Sequence, residues 1–481
     1  MRRRSLFLLV LTALPVCGCS RVTDEPTTAL GTANGSSQAT PATKAADTEQ
    51  AKRELDFAVQ ITRLTDTADK HARRGYFDEA IAARQETLAL IEKRYGADAW
   101  QARSARLAAN HTIRLQALTT AQRSAYLATV AEEESAQAKW SRGARAVAFT
   151  QIAHARESAA KLWGPADYTV GNLLDQEAEW RQATGEYAAS EALARQALTI
   201  REKLFTRDHP DTITSISRLG LTLQMTKRYP EAEPLLQEAA TRASALWGET
   251  HVEYARHLNN LGMLQYDRAE LTPAIEALTK ALAIRQKSLT ADDPLVAHSL
   301  FNLGSAYYAS KDFAAATPRL QQALDIFAKS LDEKHSMTRL ARSNLGMSLM
   351  AEKKYAEAEN VFQKDFEVAQ RSFGENSPVV AEAMLRLGVL YGNQARFAEA
   401  EPLIVRAGAI ERSTLGADHP ATKQAEQLAE RLRTRQAQAS GTTKEGVVKA
   451  AAQTPATSPT SDAGPVLLTP PPSSAGVNRT P

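Results

Sequence analysis

Five Leu-Gly pairs, Leu219-Gly220, Leu261-Gly262, Leu303-Gly304, Leu345-Gly346 and Leu387-Gly388, recur in this chain at a fixed step of 42 residues. The position nine after each glycine is large and apolar: Tyr229, Leu271, Phe313, Tyr355, Phe397. The position twelve after it is always alanine: Ala232, Ala274, Ala316, Ala358, Ala400. A further series, Trp163, Phe205, Trp247, Leu289, Leu331, Phe373 and Leu415, keeps the same step. Independent markers in one register define an internal repeat array. A unit of this size cannot bury its apolar face alone, so neighbouring units must stack.

Each unit reads as two helices. In one of them, Val252 to Asp267 carries Leu258, Leu261 and Leu264 at helical spacing, and Thr272 to Leu289 carries Ile275, Leu278, Leu282 and Leu289. Pro230, Pro234, Pro273, Pro318 and Pro402 fall in or near the first turn of second helices, where a missing N–H costs least. Gly262 and Ala274 are small where the two helices must approach closely. With no strand signal, the expected fold is all-α: a right-handed superhelical solenoid of stacked helix pairs.

The order Asn-Leu-Gly, an aromatic, then Tyr/Phe-x-Glu-Ala resembles the tetratricopeptide repeat. The 42-residue length, the Glu-Ala-Glu-Pro-Leu segment and the junctions Asp208-His209-Pro210 and Asp418-His419-Pro420 resemble its kinesin-light-chain subtype. Regular units are expected over 166–417, with a polar capping helix over 418–435. A first helical repeat is expected over 51–98, ending in Gly75-Tyr76-Phe77-Asp78-Glu79-Ala80 through Tyr95-Gly96. Residues 99–165 then read as an irregular, longer repeat, with Ala121–Gly143 as the insertion or helix extension. Residues 436–481 read as a disordered, Pro-rich tail; seven of the twenty prolines lie within 455–481.

The N-terminus reads as an address. Arg2-Arg3-Arg4 precedes the apolar run Leu6–Leu14, which is too short to span a bilayer. Val16-Cys17-Gly18-Cys19 resembles the lipobox of bacterial lipoproteins. The resemblance implies cleavage after residue 18 and a lipid on Cys19. Residues 19–50, mostly Thr, Ala, Ser, Gly and Pro with no aromatic residue, cannot bury enough apolar surface to order themselves and read as a disordered tether. Ser20 then points to the outer membrane, facing the periplasm. Arg2, Arg3 and Arg4 account for the whole formal charge of +3. Beyond them acids and bases balance, which argues against nucleic-acid binding. Both cysteines lie in the first twenty residues, so a disulfide framework and a cysteine-ligated zinc site are excluded.

No catalytic motif stands out, and neither a cofactor nor a metal is expected. His209, His251, His335 and His419 recur at multiples of 42, so they sit a repeat apart and read as junction residues, not as ligands of one metal. Ser158-Ala159-Ala160-Lys161 lacks the partner motif of a penicillin-binding enzyme. An enzyme site in 97–165 could draw only on Glu132–Glu134, His111 and His154.

A binding surface is the better candidate. In the repeat family the residue two before the glycine points into the concave groove. Here that position reads Gln176, Arg218, Asn260, Asn302, Asn344 and Arg386. An Asn amide offers both a donor and an acceptor, so a row of them suits a peptide backbone whatever its side chains. Arg218 and Arg386 are candidate carboxylate clamps, and Tyr266 and Tyr308 add contact area. The expected function is a non-catalytic, membrane-tethered scaffold holding an extended segment of an envelope protein. Binding of envelope polysaccharide or peptidoglycan by the same groove is the alternative.

Overall fold

The computed structural model describes residues 41–439. The leader 1–18, Cys19 with the tether to residue 40, and the tail from 440 lie outside the described residues. Those described form eighteen helices and no strand, arranged as stacked repeats of the tetratricopeptide type. Contacts divide the chain at Thr290/Ala291 into two units.

The first unit holds α1 (Pro41–Arg73), α2 (Phe77–Tyr95), α3 (Trp100–Gln116), α4 (Thr120–Ser141), α5 (Arg145–Trp163), α6 (Tyr168–Ala183), α7 (Tyr187–Leu204), α8 (Pro210–Met225), α9 (Tyr229–Trp247), α10 (Val252–Asp267) and α11 (Leu271–Ser288). The second holds α12 (Pro294–Ala309), α13 (Phe313–Ser330), α14 (Ser336–Ala351), α15 (Tyr355–Phe373), α16 (Pro378–Asn393), α17 (Phe397–Leu415) and α18 (Pro420–Ala439). Helix α1 takes in the last ten residues of the expected tether, 41–50, because 42–55 is rich in Ala, Lys, Glu and Gln, all good helix formers.

The repeat marks are structural devices. Residues 167, 209, 251, 293, 335, 377 and 419, each a step of 42 apart, are the N-caps of first helices. Nδ1 of His209, His251, His335 and His419 accepts a backbone N–H, as do the side-chain oxygens of Asp167, Asp293 and Ser377. The histidines are therefore junction residues that each satisfy an orphan donor at a helix start. Second helices α2, α5, α9, α15 and α17 end at a glycine with φ between 80° and 93°, a region that only glycine enters freely. The turn from first to second helix needs one left-handed residue. Gly75, Gly143 and Gly185 supply it in the early repeats, but Lys227, Ala269, Lys311, Lys353 and Ala395 do so later, at φ near 60°.

The glycine of each Leu-Gly pair lies where the two helices touch. A Cβ added at Gly262 would stand 3.0 Å from Leu278 Cγ, and one at Gly304 would stand 2.8 Å from Leu320 Cγ. Ala274 is fully buried.

Residues 97–165 are more regular than their length implies. Helix α4 packs on α5 as each first helix packs on its second, so the expected insertion at 121–143 is an ordinary first helix, lengthened to 22 residues against 16 in α6 or α8. The supernumerary element is α3. Its Ala102 and Ala105 join Ala58, Ile61 and Ile91 in a small core of α1, α2 and α3. A separate, longer core starts at Ala136 in α4 and runs to Ile284 in α11.

Candidate functional site

The residues two before each glycine sit on first helices, and their surroundings differ from one to the next. In the first unit, Asn260 is only 5% exposed and donates from Nδ2 to Ser217 Oγ of the preceding first helix, at 3.2 Å. Arg218 is half-buried, with Nη2 2.9 Å from Glu179 and Nε 3.7 Å from Asp175. Tyr266 is half-buried at the end of α10.

In the second unit, Asn302 and Asn344 are half-buried on successive first helices, α12 and α14. Asn344 Nδ2 donates to Ser305 Oγ at 3.1 Å, and that hydroxyl in turn donates to the Phe301 carbonyl. The Tyr308 ring packs 5.4 Å from Phe313. Asn260 and Asn344 thus each commit an amide hydrogen to the neighbouring repeat. An amide group carries two hydrogens and an oxygen acceptor, so the commitment is partial.

Arg386 is not placed as a clamp for an incoming carboxylate. It is 4% exposed, with Nη1 2.8 Å from Asp365 and Nη2 2.6 Å from Glu382. Arg218 is likewise already matched by two acids. A new carboxylate would have to displace a bonded one at a buried cation, which forfeits what it gains.

The sequence pattern did not disclose the network that holds Arg386. Asp365 is fully buried, and Arg342 and Arg339 approach its Oδ1 at 3.7 and 4.0 Å. Arg339 also reaches Glu382 at 3.5 Å, and Arg342 pairs with Glu333. Aligning the repeats carries the signal. Asp365 stands where the others have Ala155, Ala197, Ala239, Ala281, Ala323 and Ala407. Arg342 stands where they have Leu174, Ile216, Leu258, Leu300 and Met384. One repeat has exchanged apolar core positions for matched charges.

Burial pulls the Arg339 guanidinium below its ordinary range against the pull of Asp365 and Glu382. On α17, Glu411 is pushed up to about 7, first by burial and then by the charge of Glu382. The first unit has a counterpart. Buried Arg201 lies 4.4 Å from the Tyr168 ring and bonds Asn172, while Asp175 accepts from Ser215 at 3.0 Å. Burial raises the Asp175 carboxyl although Arg201 and Arg218 oppose it.

The candidates for catalysis in 97–165 are not assembled. Glu132 and His154 pair with each other at the surface, and His111 is buried against the Trp163 ring at 5.0 Å. Burial lowers His111 to about 4, with Asp167 opposing, so its ring is neutral at pH 7. Among the described residues no three His, Cys, Asp or Glu groups could share a metal ion, and no helix is long and apolar enough to cross a membrane.

The tetratricopeptide repeat family model matches residues 169–245, 215–287, 253–329 and 337–407. No curated protein sequence matches this chain. Solved structures resemble it in fold at low identity. A putative kinesin light chain of Podosopora anserina with nearly identical TPR-like repeats is 21% identical, with a TM-score of 0.37, over 43% of this chain and 97% of its own. BtubC (BKLC) from P. vanneervenii is 21% identical, with a TM-score of 0.40, over 50% of this chain and 93% of its own. The pilF protein of Pseudomonas aeruginosa is 17% identical, with a TM-score of 0.37, over 55% of this chain and 97% of its own.

Proposed function

From the premise that the central repeats of this chain are tetratricopeptide repeats, an architecture suited to protein–protein interaction, we propose a non-catalytic scaffold. It holds an extended segment of a cell-envelope protein on its first helices, and a lipid on Cys19 tethers it to the outer membrane on the periplasmic side. The observation that carries the reading is in the second unit. Asn302 and Asn344 stand half-exposed at equivalent positions of successive first helices, a repeat apart, as a reader of backbone amides requires. Stacked repeats supply such a row without any further device, since each repeat presents the same register.

The test compares crosslinked partners of the wild type with those of Asn260→Ala/Asn302→Ala/Asn344→Ala, both shown to be folded by circular dichroism. A protein captured by the wild type and lost from the variant supports a peptide site on the first helices. The same partners on both proteins would defeat it.

A further inference from the structure

Helix α3, the supernumerary element, has two faces of different chemistry. At about 100° per residue, Trp100, Ser104, His111 and Arg114 fall within about 80° of its circumference. Ala102 and Ala105 lie on the opposite side, in the small core shared with Ala58, Ile61 and Ile91. Helices α1–α3 are therefore a lobe with a core of its own. Among the described helices of the first unit, α3 and α4 are the only consecutive pair not packed side by side along their lengths. Residues 117–119 join them.

The polar face of α3 lies along the junctions of later repeats. Ser104 Oγ stands 2.9 Å from His209 Nε2. Because His209 Nδ1 accepts the Asp211 N–H, Nε2 carries the ring hydrogen and donates it to Ser104. The pair is thus a docking contact and not a nucleophile with its base. Trp100 meets the same imidazole edge-on, with centroids 5.9 Å apart. About 15 Å further along the helix, Arg114 bonds Asp167 at 2.7 Å, donates to the Trp163 carbonyl and lies 4.6 Å from the Trp163 ring. Asp167 and His209 are the N-caps of α6 and α8. Helix α3 therefore runs one repeat step along the edge where first helices begin.

This contact differs from the dry cores on either side of it. It consists of a hydrogen bond, an ion pair and ring faces. The lobe also meets α4 through Arg73 and Glu134 at 3.6 Å, and through Arg123 at 4.7 Å from the Phe77 ring. A cavity of about 40 Å³, room for about three waters, remains between the lobe and α4. Polar, incompletely packed interfaces between parts of one chain separate and re-form, whereas close-packed apolar cores hold.

We propose that α1–α3 is a hinged strap, which turns on residues 117–119 and, when closed, covers the starts of α6 and α8. Opening bares Trp163, Phe205 and His209 at that edge, so the lobe competes with anything that docks there.

Nitroxide labels at Gln60→Cys on α1 and Lys203→Cys on α7, both exposed positions, report opening as a distance distribution by electron paramagnetic resonance. The full chain is used, with Cys17→Ser and Cys19→Ser to confine the labels. One dominant distance is expected without further change. Ser104→Ala/Arg114→Ala removes the hydrogen bond, the ion pair and the cation–ring contact while leaving both cores intact. It should raise the open-to-closed ratio about a hundredfold, tenfold for each side chain, and add a second, broader population. Should the pair of changes reduce helix content by circular dichroism, Arg114→Ala alone, at a side chain 45% exposed, makes the same comparison with about a tenfold effect. Arg228→Ala, which breaks exposed ion pairs within the repeats, should leave the distances unchanged. A distribution that the strap variant shares with its parent overturns the proposal, and so does an equal shift from Arg228→Ala.

Discussion

Replacing Gly346 by alanine sets two effects of known sign against each other. In a helix interior the change gains about 0.8–1 kcal/mol from backbone entropy. At Gly346 the added Cβ would stand 2.6 Å from Cζ and 2.8 Å from Cδ1 of Phe362, a ring only 1% exposed. A rigid, enclosed ring cannot move its end aside as a surface side chain would, so overpacking of about 1–3 kcal/mol applies, near its upper end. The expected net is a destabilisation of about 1–2 kcal/mol. Gly408 is the internal control. It lies in α17 of the same unit, and its added Cβ would meet only Ala425 Cβ at 3.4 Å, an ordinary contact. Gly408→Ala should therefore stabilise by up to about 1 kcal/mol. Urea unfolding followed by circular dichroism reads both. If the two alanine variants shift the midpoint in the same direction, the argument from helix contact is wrong.

The remaining expectations rest on other parts of the chain. Asp365→Ala leaves Arg339, Arg342 and Arg386 without their central counter-charge and should cost about 3–5 kcal/mol, whereas the triple change Arg339→Ala/Arg342→Leu/Asp365→Ala should melt far closer to the wild type. Ala269→Gly and Ala395→Gly relieve left-handed alanines at φ 61° and 59° and should each raise stability by about 0.5–1 kcal/mol in thermal melts. His111 and His209 are both held near 4, by burial first, with Asp167 and Asp211 respectively opposing. The folded state then binds fewer protons than the unfolded one between about pH 6.5 and 4. Stability is present above that window and should fall as pH drops through it, by up to about 3 kcal/mol for each ring. His209→Asn keeps an N-cap that does not titrate and should flatten the dependence between pH 7 and 4.5. Cys19→Ser should move the protein from the membrane fraction to the soluble one; unchanged fractionation would refute lipid attachment.

The repeat architecture was legible because it is written many times over. A period of 42 with a fixed glycine, a fixed alanine and a closing aromatic or leucine leaves no other way to bury the apolar stripes, and helices at Val252–Asp267 and Leu271–Ser288 fall within a residue of where that periodicity places them. The histidines at junctions were legible as junction residues for the same reason, although their capping bonds needed coordinates. The lipid on Cys19 is an expectation from a local motif that lies outside the described residues.

Tertiary structure decided what depends on single side chains meeting across helices. Position in the repeat put Arg386 beside the asparagines, but burial against Asp365, one residue out of pattern on a different helix, turned it from a free cation into half of an ion pair. Spacing alone put the extra length at 121–143, while packing showed α4 to be a regular first helix and α3 the added one. Periodicity reports which face of a helix is buried. It carries no information about which charges find each other inside, because that is settled by contacts between residues far apart in the chain, and a single exchange such as alanine for Asp365 leaves the period intact.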